Sequence, residues 1–201
     1  KVARIKGNQG EYGTGQYEAG QNQYLKPLID SGKVKVVCEQ FTENWDPVKA
    51  QSFAEDCLTR NKGDVDVFLG MNDGTTGGSV AALISQGFKP GQKLVTGGQD
   101  ATVEALRYIA MGWQDNSVLK DLKVEATYAA DVVASLLGGK GVPKNLINGK
   151  VNNKFMDVPA VFLPVSNITA ANLSDVVKAG VWTWPQICQG IQNTPVCQAN
   201  K

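Results

Sequence analysis

The stretch Phe68-Leu-Gly-Met-Asn-Asp-Gly-Thr-Thr-Gly-Gly-Ser79 joins a strand, a glycine-rich polar turn and the start of a helix. Glycine permits a tight turn and lets the backbone come close to a ligand. Asn72 and Asp73 follow the strand, and the hydroxyl residues after them can cap the helix. Because parallel α/β sheets bind ligands outside the carboxyl ends of their strands, the segment is interpreted as one wall of a small-molecule site. Its polar atoms suggest a polyhydroxylated ligand.

Strand and helix alternate through the first 120 residues. Strands are predicted at residues 2–6, 33–38, 65–69, 93–96 and 113–118. Helices are predicted between them at residues 16–29, 47–60, 75–86 and 102–111. This alternation is typical of parallel sheets with helices on both faces. The predicted fold class is therefore α/β, a doubly wound parallel sheet.

The pattern changes after residue 120. A long helix is predicted at residues 122–137, and Asn148-Gly149 is a hairpin turn signal that would pair residues 146–147 with residues 151–155. A short strand is predicted at residues 160–164. The tail is predicted to be a short helix pinned by a disulfide.

Composition limits the classes of function. The chain has 201 residues, is 42% hydrophobic and carries a net charge of +1, so it can form a substantial core and shows no nucleic-acid groove or basic membrane patch. No apolar run approaches the ~20 residues that span a bilayer. Because Lys1 leads almost at once into a strand, the chain is expected to be a mature form or a fragment.

Histidine is absent, which removes the commonest general base and metal ligand. The four cysteines lack the Cys-x-x-Cys spacing of zinc sites, so neither a metal nor a cofactor is expected. Three disulfide pairings are open, of which the two local bridges Cys38–Cys57 and Cys188–Cys197 are the simplest and are predicted. They would indicate an oxidising, extracytoplasmic setting. The alternative is that Cys38 and Cys57 are buried thiols of a cytosolic protein.

Polar side chains follow each predicted strand of the sheet. They include residues 8–14, Gln40, Phe41, Asn44, Trp45, Asn72, Asp73, Gln99, Asp100 and residues 116–120. Amides and carboxylates bond sugar hydroxyls, and an aromatic face covers the C–H surface of a sugar ring. Alternatively, each Asn or Asp only caps a helix. No catalytic partner for Asp100 is evident, and residues 13–20 lack the G-x-G-x-x-G spacing of a dinucleotide loop.

Five segments together resemble the xylose-binding branch of the sugar-binding proteins of ABC importers. They are Ser31-Gly-Lys-Val-Lys-Val-Val37, Met71-Asn-Asp-Gly-Thr-Thr-Gly-Gly78, Ala81-Ala-Leu-Ile-Ser-Gln-Gly87, Thr96-Gly-Gly-Gln-Asp100 and Asn116-Ser-Val-Leu-Lys120. The resemblance runs from about Arg4 to Trp184 and implies the type I periplasmic binding-protein fold, with two α/β lobes and the sugar between them.

The resemblance also implies a division of the chain. Residues 1–120 would form the second, sugar-binding lobe, and residues 121–160 a helix and hairpin that pack on a first lobe expected before Lys1. Residues 161–201 would supply a returning strand and the disulfide-pinned tail. The chain would then be a fragment.

Family binding positions carry over where the motifs match. Asn72 would donate to and accept from ring hydroxyls, and Asp100 would accept from two adjacent hydroxyls. Lys120 would donate near the hinge, and Phe41 stands where the family usually stacks a tryptophan on the sugar. The first loop departs from the family pattern, which leaves its ligand contact open, with Asn8 as a candidate.

The sequence is therefore interpreted as a non-catalytic, monomeric monosaccharide receptor that delivers its ligand to a membrane permease. A sugar-responsive transcription regulator of the same fold is the main alternative, and the four cysteines weigh against it. A lobe that signals to a kinase or chemoreceptor is another alternative. A sugar-modifying enzyme is disfavoured, since the chain has no histidine, metal cluster or nucleophile motif.

Overall fold

The computed structural model describes residues 1–200 and shows strands and helices in alternation. The strands are β1 Val2–Lys6, β2 Val36–Phe41, β3 Val67–Leu69, β4 Leu94–Thr96, β5 Gly98–Gln99, β6 Ser117–Lys120, β7 Gly149–Asn152, β8 Asp157–Ala160 and β9 Val165–Ile168. The helices are α1 Tyr12–Asp30, α2 Pro47–Arg60, α3 Asp73–Ser85, α4 Val103–Ala110, α5 Leu122–Leu137, α6 Ser174–Lys178, α7 Trp184–Cys188 and α8 Pro195–Gln198. Along residues 1–200, no helix is both long and apolar enough to cross a membrane.

The chain divides into two compact units, one of Lys1–Leu119 with the chain from Asn167 onward, the other of Lys120–Ser166. The first unit contains a four-stranded sheet of order β2-β1-β3-β4, in which neighbouring strands are parallel. A three-stranded sheet follows in the order β5-β6-β9, and β5 and β6 are also parallel. The predicted parallel α/β architecture is confirmed.

Gly97 separates β4 from β5. Its φ of +84° is accessible to glycine, and a Cβ there would lie 2.4 Å from the carbonyl oxygen of Gly70. The Asn116 side chain accepts from the Gly97 N–H at 3.1 Å and from the Thr96 hydroxyl at 2.8 Å. The chain therefore leaves β3 after Thr96 and pairs with β6 from Gly98 onward.

Two clusters of buried side chains hold the first unit together. One lies between the four-stranded sheet and α2 and α3, and includes Ile5, Phe68, Leu58, Leu83 and Val95. The other joins α4 to the tail helices and includes Leu106, Ile109, Leu119, Ile168, Leu173, Val176 and Ile187. Burial of a large aliphatic or aromatic side chain contributes about 1.5–3 kcal/mol, so these clusters fix the strand ends that carry the polar turns.

Two predicted strands begin later than expected because helix caps use their first residues. The Lys33 and Val34 amides donate to the carbonyl of Leu28 at the end of α1, so β2 begins at Val36. In the same way, the Trp113 amide donates to the carbonyl of Tyr108, and β6 spans Ser117–Lys120 instead of residues 113–118. Helix α1 starts at Tyr12, four residues before the prediction.

The second unit contains α5 and the antiparallel pair β7–β8. The predicted turn at Asn148-Gly149 is wrong, because the turn lies between Asn152 and Asp157. There the Asn153 side chain accepts from two backbone amides, those of Phe155 at 3.0 Å and Met156 at 2.8 Å. Asn148 instead bonds both backbone groups of Phe162, at 2.7 and 2.8 Å.

The predicted strand at residues 160–164 is also displaced, since the returning strand is β9 at Val165–Ile168. The tail forms three short helices, α6 to α8, instead of one. Both predicted disulfides are confirmed, Cys38–Cys57 with a Cα–Cα distance of 6.1 Å and Cys188–Cys197 with 5.6 Å. Among the described residues no cysteine is free.

Loss of the Cys38–Cys57 bridge should destabilise the first unit more than loss of the tail bridge. Its 19-residue separation restricts the unfolded chain more than the 9-residue separation of Cys188–Cys197. Loop-closure entropy gives about 3 kcal/mol for each, slightly more for the longer loop. Urea unfolding measures the loss of unfolding free energy in two double variants, one with Cys38 and Cys57 and one with Cys188 and Cys197 changed to Ala. A larger loss in the Cys188 and Cys197 variant would contradict the expectation.

Candidate ligand-binding site

The turn after β3 is built as a helix cap. Asn72 is the N-cap of α3, and its Oδ1 accepts from the Thr75 amide at 2.9 Å. The Thr75 hydroxyl in turn accepts from the Asn72 amide at 3.2 Å. The helix cap is thus Asn72, the predicted binding residue, and Thr75 is the predicted hydroxyl residue that completes it. The Asn72 Nδ2 group takes no part in this cap.

The turn after β5 carries Asp100 in an uncommon backbone conformation. Asp100 has a φ of +101° and Ala101 a φ of +48°, values that non-glycine residues rarely adopt. The Asp100 amide donates to the carbonyl of Val118 at 2.9 Å, and the side chain is exposed. Thr102, and not Asp100, is the N-cap of α4, since its side chain accepts from the Ala105 amide. The alternative role of Asp100 as that cap is therefore wrong.

Asp73 lies between these two turns and is buried. Its carboxylate accepts from the Thr102 amide at 2.7 Å, from the Ser117 hydroxyl at 2.7 Å and from the Gln114 side chain at 3.4 Å. Burial raises the pKa of Asp73 from 3.8 to about 6, hydrogen bonds from Thr102 and Ser117 limit the rise, and the charge of Asp100 adds to it. The sequence places Asp73 in the polar turn, but its burial depends on tertiary contacts.

Trp45 covers the end of β1. A Cβ on Gly7 would lie 2.0 Å from the indole ring, so only glycine allows this contact. The indole N–H donates to Glu11 at 2.7 Å, and the ring meets Tyr17 edge-on at a centroid distance of 6.2 Å. Trp45 has a φ of +55°, a costly conformation that is often found at functional sites.

Phe41 ends β2 and is half-buried. The ammonium group of Lys6 lies 3.7 Å from the centroid of its ring. Lys6 is itself buried and pairs with Glu39 at 2.9 Å and Glu18 at 3.2 Å. Burial opposes the ionisation of Glu39, but hydrogen bonds and charges of Lys6 and Arg4 lower its pKa overall. Nothing in the predicted strand pattern of β1 indicated that its charges are buried.

Other predicted polar side chains are engaged within the protein. Asn8 accepts from the Asn44 amide and donates to Glu11, both at 2.9 Å, so its groups connect two loops. Gln99 donates to the Tyr17 hydroxyl at 2.5 Å. Lys120 is the half-buried last residue of β6 and the first residue of the second unit. Its predicted contact with a sugar hydroxyl stays a prediction.

The family model described as periplasmic binding protein domain matches residues 1–141. The chain belongs to the periplasmic binding protein family. It is 36% identical over 165 residues to the D-xylose-binding periplasmic protein of Escherichia coli (strain K12). This alignment covers 82% of this chain and 48% of that protein. It is 37% identical over 168 residues to the D-xylose-binding periplasmic protein of Haemophilus influenzae, with coverages of 83% and 49%. The chain spans about half the length of both relatives.

Solved structures of transporter solute binding proteins share the fold. An ABC transporter solute binding protein from Clostridium phytofermentans, solved with bound β-D-glucose, has a TM-score of 0.83 at 23% identity, over 92% of this chain and 60% of that one. A carbohydrate transporter solute binding protein from Chloroflexus aurantiacus, in complex with D-glucose, has a TM-score of 0.78 at 22% identity. The match covers 92% of this chain and 61% of that one. The predicted fold class, a type I periplasmic binding-protein lobe, is confirmed. The matched relatives are named for binding and not for catalysis, as the resemblance implied.

The stability of the first unit should depend on the protonation of Asp73. Its pKa is higher in the folded protein, about 6, than the ordinary 3.8, so the native state binds an additional proton between these values. Proton binding by Asp73 therefore stabilises the folded state fully below pH 3.8, and this stabilisation is lost as the pH rises through about 6. The free energy of unfolding should thus be about 1 kcal/mol higher at about pH 5 than at about pH 7. Urea unfolding of the wild type and Asp73→Asn at both pH values isolates this contribution. A relative loss for the wild type at the lower pH would contradict it.

Proposed function

We propose that this chain forms one wall of a monosaccharide-binding site in the extracytoplasmic receptor of an ABC sugar importer. The relatives named for D-xylose binding and the glucose-bound structural neighbours support a sugar ligand. The proposed sugar is D-xylose, with D-glucose, galactose and arabinose as the competing candidates. The two disulfides support an oxidising compartment. A membrane permease is the proposed partner, and the complete receptor is proposed to be a monomer.

The connection between the turns after β3 and β5 carries this proposal. The hydrogen bond from the Thr102 amide to Asp73, at 2.7 Å, holds the segment of Asp100 beside the segment of Asn72. An amide donor and a carboxylate acceptor are thereby carried on neighbouring turns. Adjacent hydroxyls of a sugar can donate to the carboxylate and accept from the amide, which gives orientation as well as affinity.

The remaining proposed contacts complete the ligand environment. Lys120 donates to a hydroxyl or to the ring oxygen, and Phe41 supplies an apolar face for the C–H side of the sugar. Trp45 is a second aromatic candidate, because its ring lies over Gly7 at the end of β1.

The second unit is proposed to pack on another α/β lobe of the complete protein. No residue of α5 is buried, and Leu137 and Phe155 are 85% and 95% exposed. Side chains of this size are normally buried, and the chain spans only about half the length of the matched relatives. A second lobe would cover these side chains and would close over the sugar by hinge motion.

Calorimetry of the complete protein with D-xylose, D-glucose, D-galactose and L-arabinose tests the proposal through Asp100→Asn. Asparagine tolerates the positive φ of this position, whereas alanine would add strain. The loss of a charge-assisted hydrogen bond should weaken binding roughly 10- to 100-fold and leave the melting temperature unchanged. Equal affinity of variant and wild type would remove Asp100 from the site, and no binding of any sugar by the wild type would reject the proposed function.

Phe41→Leu should weaken D-xylose binding while Phe41→Tyr preserves it. Leucine keeps apolar volume but lacks the flat face, so the expected loss is about 1–2 kcal/mol, or roughly 5- to 30-fold. Phe88→Leu is the matched control, since Phe88 is also half-buried and contacts a lysine, with Lys93 at 5.4 Å from its ring. If Phe41→Leu binds as tightly as this control, Phe41 does not stack on the sugar.

A further inference from the structure

The buried carboxylate of Asp73 is joined to two consecutive amides of the turn that carries Asp100. It accepts directly from the Thr102 amide at 2.7 Å. It also accepts from the Ser117 hydroxyl at 2.7 Å, and that hydroxyl accepts from the Ala101 amide at 3.0 Å. Asp73 is 5% exposed, so these hydrogen bonds are shielded from water.

The turn needs such a restraint. Asp100 and Ala101 both have positive φ values, +101° and +48°, and neither is glycine. Conformations of this kind are costly and persist only where the surrounding structure determines them. The two amides that follow Asp100 in the chain are the groups that Asp73 and Ser117 hold.

We infer that Asp73 is a positioning residue that holds the ligand-binding carboxylate of Asp100 in place through the Ala101 and Thr102 amides. The inference rests on the proposed function, because it assigns to Asp73 an effect on sugar affinity that acts only through Asp100. Asp73 itself is buried among protein donors and does not contact the sugar.

A carboxylate suits this position because donors converge on it from three directions. The Thr102 amide, the Ser117 hydroxyl and the Gln114 side-chain amide all donate to it. An asparagine has one oxygen and one NH2 group, so one of its two ends would place a donor against a donor. The backbone is also close, since a Cβ on Gly98 would lie 2.7 Å from Asp73 Oδ1. The side chain therefore has little room to rearrange.

A double-mutant cycle distinguishes positioning from general stability. D-xylose affinity is measured by calorimetry in the complete protein for Asp73→Asn and Ser117→Ala, each alone and combined with Asp100→Asn. Asp73→Asn should weaken binding roughly 10-fold and Ser117→Ala roughly 3-fold in the wild-type background, and each by less than about 2-fold in the Asp100→Asn background. Val65→Ala, a fully buried substitution before β3, lowers stability without changing affinity and serves as the control.

Each result decides the inference. Wild-type affinity in Asp73→Asn, or equal losses in both backgrounds, would overturn it while the proposed function stands. Absence of binding to every sugar by the wild type would overturn both. If Asp73→Asn does not fold, the Ser117→Ala cycle gives the answer, since it removes only the connection to the Ala101 amide.

Discussion

The proposed ligand-binding turns after β3 and β5 depend on one constraint. This is the burial of the Asp73 carboxylate among donors from three segments. The charged group is costly to desolvate, and burial correspondingly raises its pKa to about 6. The Thr102, Ser117 and Gln114 donors offset part of this cost. A single buried charge thus couples the first turn of α3 to the start of α4 and to β6. Because the coupling needs directional hydrogen bonds, it fixes relative position more strictly than apolar packing could.

Most of the fold could be predicted from the sequence, because the strand–turn–helix repeats carry local signals in glycine, proline and capping residues. The errors occurred where two local signals competed. The residues before β2 and β6 alternate like strands, but their amides complete the C-terminal caps of α1 and α4. Asn148-Gly149 matches a hairpin turn, but Asn148 bonds the backbone of Phe162 and the Asn153 side chain forms the actual turn. Only the tertiary partner decides which asparagine makes the turn.

The candidate site was less predictable than the fold. Its polar side chains could be placed at the carboxyl ends of the strands, since parallel strands end at one edge. Which of these side chains are exposed and which bond other parts of the protein could not be predicted, because that depends on contacts between distant segments. Asn72 and Asp73 are neighbours in the chain, yet Asn72 is half-buried and caps a helix while Asp73 is buried between β6 and α4. The burial of Arg4 and Lys6 in β1 likewise depends on Glu39 in β2.

On each side of the proposed ligand-binding wall, a buried charged group supports an exposed or half-buried side chain. Asp73 supports the turn of Asp100, and the Lys6 ammonium lies against the ring of Phe41. Each buried charge has partners that neutralise or solvate it, Glu18 and Glu39 for Lys6 and three donors for Asp73. Apolar residues in these positions would cost less to bury, but they would not fix the orientation of the side chains that they support. Direction is what a site for closely similar sugars requires, because such ligands differ in the orientation of single hydroxyls and are distinguished only by donors and acceptors held in place.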